Sequence, residues 1–226
     1  EYIDRLSVYS GMEDVIITLF GEMMRKPRRN GRSLEKSRAE GTDIRIVFSS
    51  LDALATARDN PEKKVIFAGI GFETTAPGTA AAVQKAHREN ISNFLVLSAH
   101  KIMPPAMEAI LKEGSRLHGF ICPGHVAAIT GSGIFDFIPQ KYGTGCVVSG
   151  FEPADILLSV LMLMIQVNRN QPATEIQYKR AVSESGNLRA QEVMNEVFET
   201  CDTEWRGLGM IGGSGLKLRK KYERHD

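Results

Sequence analysis

Four short stretches gather the side chains able to do chemistry. They are Gly71-Phe72-Glu73-Thr74-Thr75, Ser98-Ala99-His100-Lys101, Cys122-Pro123-Gly124-His125-Val126 and Gly150-Phe151-Glu152. Each follows a short apolar run that reads as a strand and leads toward a helix. His100, His125, Glu73 and Glu152 offer the nitrogen and oxygen donors that suit iron, zinc or manganese. None of them stands at short-range ligand spacing. A carboxylate capping a helix N-terminus plus a buried, hydrogen-bonded histidine competes with that reading. No metal ligand is therefore assigned, and His100 and His125 stay as candidates. Cys122 lies close to an expected helix N-terminus, which would lower a thiol pKa; a buried strand cysteine is the alternative.

Phosphate chemistry has weaker support. Gly69-Ile70-Gly71-Phe72-Glu73-Thr74 nearly matches the dinucleotide fingerprint, but Thr74 stands where the third glycine belongs. The next strand ends in His100 rather than the acidic residue that holds a ribose. No Walker phosphate-loop string exists. A nucleotide-binding enzyme of Rossmann type remains one alternative, and a pure docking module another.

The elements that must position these residues alternate. Strands are expected over Val15 to Phe20, Asp43 to Phe48, Val65 to Ala68, Asn93 to Leu97, Phe120 to Cys122 and Gly145 to Val148. Helices are expected over Tyr2 to Tyr9, Ser33 to Glu40 with Ser33 as cap, and Leu51 to Arg58 capped by Ser49 or Ser50. Others follow over Ala76 to Glu89 with Pro77 in the first turn, from Pro104 onward, and over Leu188 to Thr200 with Ala190, Val193, Met194 and Val197 inward. Such alternation implies a parallel sheet with right-handed crossovers and a ligand crevice at the strands' carboxyl ends. Ala154 to Val167 is apolar nearly all round, too short to span a bilayer, and reads as a helix buried between layers.

Gly71-Phe72-Glu73 and Gly150-Phe151-Glu152 occupy matching places, and the turns at His100 and His125 look equivalent. Two similar α/β lobes follow, Rossmann-like, with mainly parallel sheets flanked by helices and facing a central cleft. The first spans 1–112 and the second 113–202. A glycine-rich return segment covers 203–226, with five glycines in the nine residues from Gly207 to Gly215.

Composition excludes several classes. The 226 residues are 42% apolar with a net charge of +1, which suits a globular core and gives no basic field for nucleic acid or an anionic membrane. The basic stretch Arg25 to Arg32 has no interleaved aromatics and reads as a solvated loop. Three scattered cysteines make neither a disulfide framework nor a zinc motif, and a reducing, cytoplasmic setting is expected. The start at Glu1 and the charged run Arg219 to Asp226 read as parts of a longer protein.

The stretches GFETTAP (Gly71 to Pro77), LSAHK…PPAM (Leu97 to Met107), GFICPGHV (Gly119 to Val126), GFEPADIL (Gly150 to Leu157) and WRGLG…SGLKL (Trp205 to Leu218) resemble the hydrogenase maturation family HypD. The resemblance runs in order along nearly the whole chain. It implies a scaffold for the Fe(CN)2CO group of nickel–iron hydrogenases, working with an iron-carrying HypC-type chaperone and a HypE-type cyanide donor. It implies that Gly71 to Thr75 and Pro123 to Val126 line a central cleft. On that basis Glu73, Thr74, Thr75, His125 and Cys122 are catalytic candidates. Gly71, Phe72, His100, Pro123, Gly124, Val126 and Glu152 are candidates for lining the ligand or partner cleft. Glu73, Thr74 and Thr75 would orient cyanide or the partner's tail, His125 would donate a hydrogen bond or proton, and Cys122 would assist by thiol exchange. Family members also carry an upstream CGTH motif, a cysteine pair and a 4Fe-4S cluster domain, none of which occurs in these residues. Ala127 and Gly212 replace a usual serine and proline.

Overall fold

A computed structural model describes residues 2–9, 11–26, 33–114 and 116–226. The basic stretch lies, from residue 27 to 32, outside the described residues. The first lobe opens with α1 (Tyr2–Tyr9), β1 (Val15–Leu19), α2 (Leu34–Ala39), β2 (Ile44–Ile46) and α3 (Ser50–Asp59). It continues with β3 (Lys64–Gly71), α4 (Ala76–Arg88), β4 (Phe94–His100) and α5 (Met103–Lys112). Its four strands are parallel in the order β2-β1-β3-β4.

Both faces of this sheet are apolar, because alternate residues of a strand point to opposite sides. Ile16, Val65 and Phe67 enter one core with Ala53 and Leu54 of α3 and Ala80 and Val83 of α4. Val15, Ile17, Leu19, Ile66 and Ala68 enter the other with Leu6 of α1 and Leu34 of α2. Full burial of a side chain such as Phe67 contributes about 2–3 kcal/mol. Ser33 caps α2 by accepting from Lys36 N–H. Ser49 rather than Ser50 caps α3, in a reciprocal box with Asp52.

The second lobe contains β5 (Gly119–Pro123), α6 (Gly124–Thr130), α7 (Phe137–Tyr142), β6 (Gly145–Ser149), α8 (Pro153–Arg169) and β7 (Thr174–Ile176). Its three strands are parallel in the order β5-β6-β7. Cys122, Cys146 and Val148 pack with Phe135, Ile138 and, from α5, Met107 and Leu111. The last helix of the first series thus supplies part of the second core.

Three expectations need correction. α8 is not buried between layers: its sheet side is covered and its far side is open, because this lobe places one layer against it. β4 runs on through His100, where the sequence suggests a turn, because pairing with β3 holds it as far as Gly71↔His100. The amphipathic helix stops earlier than expected, as α9 (Leu188–Val197), and Phe198 begins a strand.

That strand, β8 (Phe198–Trp205), pairs antiparallel with β9 (Gly209–Leu218), and Lys101 bridges to Gly215. Val197, Phe198, Leu216 and Leu218 belong to the first lobe's core, with Val193 and Met194 packed against it. The packing therefore draws α9, β8 and the return segment onto the first lobe, across the boundary placed at 202. α9 also reaches α6, where Gln191 Nε2 donates to Ile129 O. Among the described residues no helix is long and apolar enough to cross a membrane.

Candidate functional site

The turn after β3 is closed on itself. Gly71 has φ +147°, and a Cβ there would stand 2.2 Å from Thr75 Oγ1. Only glycine fits that conformation without strain. Phe72 O accepts from Thr75 N–H, Ala76 N–H and the Thr75 hydroxyl. Pro77 has no N–H to give, so much of the first turn of α4 is already committed. Gly69 makes room instead of a turn. A Cβ there would meet the His100 ring at 2.7 Å, so the strand is hollowed to seat that imidazole.

Glu73 folds back beneath α5 and is 2% exposed. Its Oε1 accepts Met103 N–H at 2.8 Å, capping α5 rather than α4. Among the described residues its buried Oε2 has no hydrogen-bond partner. Burial pushes the Glu73 carboxyl up from its ordinary value, opposed by the Met103 N–H. Above it, Phe72 leans on Trp205 with ring centroids 6.0 Å apart. Lys101 Nζ sits 4.8 Å over the same indole and donates to Glu204 O. Trp205 Nε1–H is anchored on Ser214 Oγ at 2.8 Å. Sequence reasoning misses Trp205 and Lys101 as site residues, though both lie inside the motif stretches.

The second set surrounds His125. This exposed imidazole stacks on Phe151 at 4.9 Å. Pro123 is the residue before α6, and Gly124 and Val126 are buried. Glu152 is the residue before α8, and its side chain is 77% exposed, with an oxygen 3.7 Å from Arg180. Asp155, one turn along, takes both Arg180 nitrogens, at 2.9 and 2.6 Å, and the Gln177 amide at 2.8 Å. Arg180, then Gln177, hold the Asp155 carboxyl down at about 2. Arg180 also lies 4.3 Å over Tyr178. Asp155 stands inside the GFEPADIL stretch and is readable there. Arg180 has no sequence signal, since only folding brings it back to α8.

Two candidates leave the site. His100 is fully buried, with Nε2 on Thr79 Oγ1 at 3.2 Å and Nδ1 on Ser98 Oγ at 3.3 Å. Burial lowers its pKa to about 4, so it is neutral, and both nitrogens are engaged. It is a core histidine, closed off from solvent, with a hydroxyl at each ring nitrogen. Cys122 lies in the second core beside Cys146. The neighbouring Cys146 thiol and burial both push its pKa up, the opposite of the lowering that thiol exchange calls for. The expected helix-terminus effect is outweighed because the Cys122 side chain is fully buried in the second core. Among the described residues no group of three His, Cys, Asp or Glu could hold a metal ion. Nor do Cys122 and Cys146, in the second core, and Cys201, on β8, form the four-thiolate set of a 4Fe-4S cluster.

Two parallel α/β lobes, with turns carrying carboxyl, imidazole and aromatic groups at the strand ends, define an α/β protein of the Rossmann-like kind. The family model named HypD, "Hydrogenase formation hypA family", matches residues 1–226, and the chain belongs to that family. It is 45% identical to the hydrogenase maturation factor HypD of Rhodobacter capsulatus, over 99% of this chain and 60% of that protein. It is 43% identical to the hydrogenase maturation factor HypD2 of Bradyrhizobium diazoefficiens, over 94% of this chain and 58% of that protein. To the Escherichia coli K12 hydrogenase maturation factor HypD it is 40% identical, over 99% of this chain and 60% of that protein. The chain thus spans about three fifths of the length of these curated relatives.

Proposed function

We propose that this chain serves hydrogenase maturation, as the two-lobed part of a cytoplasmic scaffold on which the Fe(CN)2CO group is assembled. Its partners would be a HypC-type chaperone bringing iron and a HypE-type protein donating cyanide. The observation that carries the reading is family membership over the whole chain, with relatives named as hydrogenase maturation factors at 40–45% identity. The strand-end chemistry is consistent with it. Glu73 offers a dehydrated carboxyl, and Phe72 and Trp205 offer an apolar wall. Thr74 stands beside them, while the Thr75 hydroxyl is spent on closing the turn. His125 offers an accessible imidazole that can donate a hydrogen bond or move a proton. Iron and its diatomic ligands are cargo in this reading. The 4Fe-4S cluster would belong to the family's remaining chain, since the thiols here do not fit it.

Complementation tests the proposal. A full-length chain carrying this region should restore hydrogenase activity to a strain lacking its own family member. With His125→Ala, activity should fall by about a hundredfold or more while the melting midpoint is retained. No restoration by a folded, expressed parent chain overturns the function; full activity of the His125→Ala variant removes His125 from it.

A further inference from the structure

The polarity of α8 is reversed. The side against the sheet carries Asp155, Ser159 and Gln166, all buried. Each is satisfied there: Asp155 by Arg180 and Gln177, Ser159 by Asp155 O, and Gln166 by Glu175 and Ala173 N–H. The far side carries Leu157, Leu158, Leu161, Met164 and Ile165, with Leu157 72% and Met164 56% exposed. Spacings of three and four keep them on one face through most of a 17-residue helix. Solvent contact on that scale marks an interaction surface.

The neighbouring strand is unfinished on the same side. β5 is the edge of its sheet and pairs there with β6. Phe120 and Cys122 point into the second core, so Ile121 points toward the α8 face, where it is exposed. A groove of about 340 Å³ lies between β5 and α8, lined by His118, Gly119, Leu163 and Met164 among others. Parallel sheets are ordinarily covered on both faces. An open strand edge, a bare patch of sheet and an apolar helix flank, side by side, call for a strand and a helix together. That is the ordinary repeating unit of this fold.

We propose that this side of the second lobe docks a further α/β segment of the longer family chain, with a strand pairing parallel to β5 and a helix lying on α8. The relatives have chain to spare for it, since the match covers 58–60% of their length. A functional consequence follows from the direction of the strands. The carboxyl end of a strand added parallel to β5 lies beside Pro123, Gly124 and His125. The loop leaving it therefore completes the His125–Phe151 site, which this region does not close alone. This docking is independent of the maturation reading, and its test uses no hydrogenase activity.

Peroxide footprinting and deuterium exchange on the full-length chain read it directly. Met164 on α8 and Met210 on β9 are both open here, at 56% and 67% exposure. Each oxidation rate is referred to that residue's rate in the denatured chain. Met164 is expected to be slowed about tenfold more than Met210 in the monomeric full-length chain. Amides of Phe120 to Cys122 are expected to exchange about a hundredfold more slowly than an open strand edge allows. Met164 reacting near its denatured rate overturns the proposal. So does protection that disappears on dilution to monomer, which would assign the face to a second copy. Protection of Met164 without slowed β5 amides overturns the paired strand.

Discussion

Gly71-Phe72-Glu73 and Gly150-Phe151-Glu152 share their spelling and their place at the end of an interior strand, yet their carboxyls live in opposite surroundings. Glu73 is buried under α5 with one oxygen unpartnered among the described residues. Glu152 projects into solvent beside Arg180. Phe72 leans on Trp205 and Phe151 on His125. The cause is where the next helix starts. Glu152 directly precedes α8 and is thrown outward as its cap residue. Thr74 and Thr75 stand between Glu73 and α4, and those two residues let the chain double back and tuck the carboxyl inward. One turn has become a sealed, desolvated pocket, the other an open platform.

The largest break in that comparison should come from the glycines. At Gly71 both conformation and space forbid a side chain, with φ +147° and a Cβ 2.2 Å from Thr75 Oγ1. At Gly150 the obstacle is space, with a Cβ 2.1 Å from Asp155 Oδ2 and 2.8 Å from Tyr178. Overpacking costs about 1–3 kcal/mol, and a strained backbone adds about 1–3 kcal/mol. Gly71→Ala should therefore lose about 2–6 kcal/mol of unfolding free energy in a denaturant titration, and Gly150→Ala about 1–3 kcal/mol. Equal losses would mean that the positive φ of Gly71 costs nothing.

The histidines sharpen the contrast next. His100 fills the hollow over Gly69 and is held by Thr79 and Ser98, so His100→Ala leaves a cavity in a core, although both hydroxyls keep a backbone carbonyl to donate to, Thr75 O and Leu216 O. A loss of about 3 kcal/mol is expected. His125 packs on one exposed ring, and His125→Ala should stay within about 0.5 kcal/mol of the parent. Thermal melts of both variants check this. A large loss at His125 would move that residue from chemistry to structure.

Much of this arrangement is legible in the sequence, and the failures have a common form. The strand expected over Val15 to Phe20 and the serine cap expected at Ser49 or Ser50 are decided by neighbours a few residues away, so local pattern suffices to within a residue. The fate of His100 and Cys122 is decided by which face of a strand each side chain takes, and a turn-like string does not reveal it. α8 shows the same limit: an apolar run reports how much surface wants covering, not which side the sheet will cover. The start of β8 reads as a helix tail because its partner β9 lies beyond a glycine-rich hairpin. Trp205 is visible as a motif residue, but its contact with Phe72 depends on that long-range pairing. Arg180 is the extreme case, a residue with no motif that secures Asp155 from 25 positions away.

The carboxyls give the smallest effect and the most specific one. Glu73→Ala removes the acceptor for Met103 N–H at the start of α5 and should cost about 1 kcal/mol, the scale of a lost helix cap. Glu152→Ala removes an exposed group with one loose ion pair and should stay within about 0.5 kcal/mol. Glu73 carries a pH dependence as well. Burial raises the Glu73 carboxyl above its ordinary 4.5, so the folded chain keeps a proton that the unfolded chain releases. That contribution to stability is fully present below about pH 4.5 and declines as pH rises from there through the folded value. Glu73→Gln keeps an acceptor for Met103 and removes the titration. Its stability relative to the parent should therefore climb with pH above that point. A Glu73→Gln curve parallel to the parent's would show that the Glu73 pocket admits water and that the two turns differ in shape alone.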